Sequence, residues 1–177
     1  MAAAEFEKRI VSPPSGYTPV VARRVWALED TRSRTKSLLA GISQEVLDWV
    51  PQEGGNSIGT LLYHLAAIEM SYLYEDILEV GWATELEGLL PYNIRDETSS
   101  LVEVKGENLG VHLDRLDASR NLTLRHLLTM SEDELYRVRT VAEYQTTPEW
   151  VLHHLIQHEA EHRGQIGELR VGAERGG

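Results

Sequence analysis

Apolar residues recur at helical spacing in four long stretches of the chain, and polar connections separate those stretches. The first opens at Thr18 and Pro19, an oxygen suited to capping and then a proline whose missing N–H costs nothing in a first turn, and it runs to about Ala40. Beyond a Gly41 stop, a short helical turn from Ser43 to Trp49 is closed by Pro51, Gly54 and Gly55. Asn56 or Ser57 caps a second long helix, in which Ile58, Leu61, Leu65, Ile68 and Tyr72 form one stripe that stops at Gly81. From Trp82 to Gly106 the period fades, with Pro91 and the polar run Arg95 to Ser100, which predicts a long connection. A third helix is expected over Asn108 to Met130 with Val111, Leu113, Leu116, Leu124 and Leu127 inward, then one more turn capped by Ser131. The segment Tyr136 to Gln145 suits a loop or a minor strand equally. Thr147 and Pro148 repeat the opening signature and start a last helix that reaches about Arg170. The pattern predicts an all-α four-helix bundle with a long connection between its second and third helices.

A length of 177 residues suits one domain, 1–177, with residues 1–17 as a tail packed on it. The net charge of -11 opposes binding to phosphate backbones and anionic lipid, so neither a nucleic acid nor a membrane is an expected partner. Most basic residues come early, at Arg23, Arg24, Arg32, Arg34 and Lys36, where the flanking Glu29 and Asp30 suggest a solvated helix face. Cysteine is absent, which excludes disulfides, thiolate metal sites and a cysteine nucleophile and makes the cytoplasm the expected location. The opening residues lack a basic region followed by a long apolar run, so neither a secretion signal nor an anchor is expected there.

The chemistry of the chain concentrates in HHLIQHEAEHRGQI, where His154, His158 and His162 succeed one another every four residues on the last helix. Residues four apart are turned by about 40° and raised by about 6 Å, so all three face one side, the side that also carries Val151, Leu155, Ile166 and Leu169. Two imidazoles one turn apart can share a divalent ion at about 2.0 to 2.1 Å, whereas His154 and His162, about 12 Å apart along the axis, cannot. Spacing alone does not separate the pair His154 and His158 from the pair His158 and His162. The latter is preferred because it lies away from the partly positive helix N-terminus. For a third ligand the candidates are His64, His112 and His126. His64 borders a strongly apolar stripe and fits best, while His112 and His126 sit among polar neighbours and read as surface residues. A lone histidine on an apolar face is usually a hydrogen-bonded core residue, but a stacked pair with a third opposite leaves several polar nitrogens that one metal would satisfy together.

The segments SIGTLLYHLAAIE and HLIQHEAEHRGQI together resemble the DinB/YfiT-like superfamily of metal-dependent proteins, across all four long helices. In that family the helix-two histidine and two histidines four apart before Arg-Gly-Gln bind a divalent metal, usually zinc or nickel. Carried over, these are His64, His158 and His162, followed here by Arg163, Gly164 and Gln165. The resemblance also implies a homodimer and a small-molecule substrate, since relatives include thiol-dependent S-transferases and a mycothiol-dependent isomerase. Absence of cysteine agrees with an external low-molecular-weight thiol as cosubstrate. The expected activity is therefore that of a metal-dependent hydrolase or thiol-dependent S-transferase acting on a small electrophile, with catalytic support from Gln165 or Glu159. The alternative is a non-enzymatic dimeric metal-binding or sensing module.

Two metal chemistries match the sequence less well. HEAEH contains two peptidase-like fragments, but no further histidine follows His162 to complete the extended form. A di-iron carboxylate site requires two Glu-x-x-His pairs; Glu159 with His162 is one, while Leu61 stands three residues before His64.

Overall fold

The structure is a computed structural model that describes residues 10–142 and 144–176, with Glu85 described by its backbone alone. Four long helices, α1 (Pro19–Leu38), α3 (Ile58–Ser71), α4 (Leu109–Leu127) and α6 (Pro148–Gly176), carry the architecture. Two one-turn helices, α2 (Gln44–Asp48) and α5 (Glu132–Tyr136), and an antiparallel pair of strands, β1 (Arg139–Val141) and β2 (Tyr144–Thr146), fill the connections. Residues 1–9, and with them most of the expected tail, lie outside the described residues; Tyr17 packs against the core, whereas Ile10 and Val11 are exposed.

The central element is α3. Ser57 starts it by accepting the Thr60 N–H at 3.1 Å, and twelve of its fourteen residues are buried, the mark of a helix covered on every side. It packs on α4 and α6, and α1 closes against α6. The chain does not stop after Ser71 but widens into a π-helical turn, Tyr72–Ile77, whose extra residue per turn rotates Leu73, Tyr74, Asp76 and Ile77 inward. At the other end, Asn108 caps α4 through Val111 N–H, as Ser131 caps α5 through Glu134 N–H. Thr147 caps α6 in the same way through Trp150 N–H. Thr18 makes no such bond; there the proline, not a cap, begins the helix.

Two expectations are corrected, and one left open is resolved. Val111 points to solvent, and α4 turns a largely polar face inward: His112, Arg115, Ser119, Arg120 and Thr123 with Leu116 and Leu127. Those polar groups find partners inside, so hydropathy misplaced the face. Secondly, α6 continues six residues beyond Arg170, to Gly176. Gly172 allows this stretch to pack on α2, since a Cβ there would sit 3.0 Å from the Trp49 ring. Finally, the segment that suited loop or strand is a hairpin with Arg139 opposite Thr146, and the buried Arg139 side chain reaches back to the Ile77 carbonyl at 2.8 Å.

The long connection after α3 is held by side chains of α3 and α4. Thr60 Oγ1 accepts the Val104 N–H at 3.0 Å, and the Tyr63 hydroxyl bonds the Tyr92 backbone. Arg115 donates to the Leu89 carbonyl at 2.9 Å and to Glu107 at 2.8 Å, lying 5.0 Å over the Tyr63 ring. Leu86, Leu90 and Val104 are thereby buried, so this connection is part of the core. Among the described residues no helix is long and apolar enough to cross a membrane.

Candidate metal centre

The widely separated His64 and His158 meet because α3 and α6 pack side by side. The Nε2 atoms of His64 and His158 are 3.2 Å apart, and those of His158 and His162 are 3.1 Å apart. One nitrogen from each ring lies within 4.8 Å of the others. Four-coordinate zinc at about 2.0 to 2.1 Å from each nitrogen would set neighbouring nitrogens about 3.3 Å apart, close to both short separations. The three rings meet edge to face, with centroids 4.4 to 5.1 Å apart.

The protons argue for the same conclusion. The Gln165 side-chain oxygen lies 2.9 Å from His162 Nδ1, which holds the ring proton on Nδ1 and turns the Nε2 lone pair towards His158. A hydrogen on His158 Nε2 could serve either neighbour but not both. His64 Nδ1 is buried without a hydrogen-bond partner, so this ring is not anchored as a core histidine would be. Burial, then the neighbouring imidazole of His162 and the charge of Arg95, lower the His64 pKa to about 4. Burial and the adjacent His162, His64 and His154 lower that of His158 to about 3. Both are neutral near pH 7, the protonation state in which imidazole donates a lone pair to a metal. The site's residues thus fit a divalent cation by separation and, for His64 and His158, by protonation.

The remaining candidates are sorted by position. His154 stands outside the triad: its ring stacks on Trp150 at 5.0 Å and 5°, meets Tyr72 edge-on, and keeps 5.7 Å from His158. His126 is exposed, as expected. His112 is not: it is buried, with Nε2 unpartnered and Nδ1 3.4 Å from Arg115. Polar sequence neighbours signalled surface there, and Asn108 and Asp114 are indeed exposed, but His112 lies with Arg115 on the inward face of α4. Among the described residues no fourth histidine or carboxylate joins the group.

Glu159, next to His158, is neither solvated nor free. Arg32 Nε donates to it at 2.9 Å and Arg120 Nη2 at 3.3 Å. The same guanidinium groups hold Glu69, at 2.8 Å from Arg32 and 2.7 Å from Arg120, and they also donate to the carbonyls of Leu116 and Leu28. This ion quartet links α1, α3, α4 and α6 in the interior. Arg32 therefore leaves the solvated face that the early basic residues suggested, and Arg24 pairs with Glu149 of α6. No sequence signal marked the quartet; Glu69 at five residues after His64 and Glu159 beside His158 gain meaning only from the helices opposite.

Comparison with known proteins places these residues in a wider group. The family model of the DinB superfamily matches residues 27–166, a span that includes His64, His158, His162 and Gln165. A crystal structure of a conserved protein from Enterococcus faecalis is similar in fold, with a TM-score of 0.65 at 20% identity over 85% of this chain and 95% of that one. No curated protein matches the sequence.

Proposed function

The chain belongs to the DinB superfamily, and from that premise we propose that His64, His158 and His162 hold a divalent metal ion, zinc or nickel, at the centre of a catalytic site. The observation that carries this reading is the convergence of three Nε2 atoms, at 3.1 and 3.2 Å, with no protein hydrogen bond able to satisfy them all. When bound, the ion supplies the double positive charge that activates a water or an external thiol near neutral pH and polarises an electrophile. Gln165 keeps His162 in the tautomer that offers Nε2. The α3 and α6 backbones set the separation of the rings, and the neutral state of His64 and His158 leaves their lone pairs available.

The activity that suits such a site is hydrolysis, or S-transfer from a low-molecular-weight thiol, on a small electrophilic molecule. A cysteine-free chain has no thiol of its own to offer. Three protein ligands favour this over a structural role, because structural zinc is normally closed by four. Glu159 contributes by its place in the ion quartet that fixes α6. The same reading takes the four long helices as one four-helix-bundle domain that works in the cytoplasm as a homodimer. Elemental analysis of the purified protein beside His64→Ala and His158→Ala tests the site: one equivalent of metal is expected in the parent and far less in either variant. Undiminished metal in both variants would end the assignment. Turnover of model electrophiles with bacillithiol, mycothiol or glutathione is expected to require that metal.

A further inference from the structure

Beside the triad lies a groove of about 500 Å³, a volume suited to a small molecule. Two of its lining residues connect it to the metal centre: Gln165 holds His162, and Leu61 precedes His64 by one turn on α3. On α6 the groove follows Glu161, Gly164, Gln165 and Glu168, which share one face at spacings of three and four. A Cβ built on Gly164 would meet no atom within 4 Å, so the missing side chain leaves open space in the middle of that wall. Pro51, Leu61 and Leu169 give the groove apolar surface. The charged side chains lining it are both carboxylates, Glu161 and Glu168, neither of which is in an ion pair among the described residues; no lysine, arginine or histidine lines it.

From this geometry we infer that the groove seats the body of the molecule transformed at the triad, and that this body combines an apolar part with a protonated amine. The inference rests on the reading of the triad as a metal-dependent site. At the wall that Glu161 and Glu168 form, away from the triad, an anion would face two carboxylates and a chain of net charge -11, whereas an ammonium group would be attracted by both. The apolar surface supplies the burial that holds the remainder of the molecule.

Three probes of similar shape but different charge test it: 2-phenylethylammonium, 2-phenylethanol and the weakly coordinating 2-phenylethanesulfonate, titrated by saturation-transfer NMR into the zinc-loaded protein. The ammonium probe is expected to bind at least about ten-fold more tightly than the sulfonate, a difference of about 1.4 kcal/mol. The double variant Glu161→Gln, Glu168→Gln should bring the two together. Gly164→Phe should weaken all three probes at least about ten-fold, with zinc content and melting temperature unchanged. Equal affinities, no binding by any probe, or undiminished binding to Gly164→Phe would overturn the inference. Should Gly164→Phe fail to fold, the double variant alone decides. A protein that takes up no zinc yet ranks the probes in the same order would sink the metal reading and leave the groove standing.

Discussion

Two polar clusters adjoin where Glu159 follows His158 on α6, and they meet the cost of burial in different ways. In the Arg32, Arg120, Glu69 and Glu159 quartet, two positive and two negative side chains cancel, and the guanidinium groups also reach backbone carbonyls. Opposing charges outweigh burial for Glu69 and hold its carboxyl down at about 2, ionised throughout the useful range. In the His64, His158 and His162 triad, like groups face one another, and burial drives His64 and His158 to the neutral state. The quartet is complete within the chain. On the reading proposed above, an outside cation completes the triad, so a self-satisfied polar cluster fastens the helices while a cluster of like groups that could hold a metal ion marks the candidate site.

The contrast is broken most forcefully at the quartet. Glu69→Leu leaves two buried guanidinium groups short of a partner and should cost about 3 to 5 kcal/mol, or prevent folding, as measured by urea denaturation. In metal-free protein His158→Ala should stay within about 1 kcal/mol of the parent, because only a neutral and poorly bonded group is lost. A large loss there would make the triad structural. Next in size is the stabilisation by metal. Free zinc at about 100 times its dissociation constant should add about 2.7 kcal/mol to the parent and almost nothing to His64→Ala or His158→Ala. Gln165→Leu should weaken metal binding by about 10- to 100-fold without removing it, read by competition with a chelator; an unchanged affinity would show that the amide does not set the His162 tautomer.

His112 sharpens the comparison as a buried imidazole with no other histidine beside it to share a cation. Burial, followed by the charge of Arg115, lowers its pKa to about 4, against opposition from Glu107 and Asp48. Above the ordinary value of 6.5 both folded and unfolded chains carry it neutral, so it adds no pH dependence. As pH falls from 6.5 to about 4, the unfolded chain takes a proton that the folded one refuses. Its contribution to stability is then lost at up to about 1.4 kcal/mol per pH unit. Below the folded value the effect is spent. Denaturation curves of His112→Gln across that window should lack this increment, and an identical slope would refute it. The smallest change is Gly164→Ala, expected to stabilise the helix by up to about 1 kcal/mol because the added methyl meets nothing.

Of the fold, the helix starts were legible because caps and prolines act locally: Pro19, Ser57, Ser131 and Thr147 each sit where their residue type implies. The inward face of α4 was not, because Arg115 and Arg120 are buried by partners from other segments. The π-helical turn after Ser71 also escaped, as the stripe simply continues through it.

For the site, spacing already placed His158 and His162 on one helix face, since a four-residue period is a property of the helix itself. The apolar stripe of the second helix favoured His64 as the third ligand, and the resemblance to a family implied the same residue. Only the packed structure decided that the three Nε2 atoms meet, that His154 turns to Trp150, and that Glu159 belongs to Arg32 and Arg120. Local sequence fixes the direction in which a side chain leaves its own helix. What it meets depends on which helix lies opposite, and that is set by the burial of the whole chain at once.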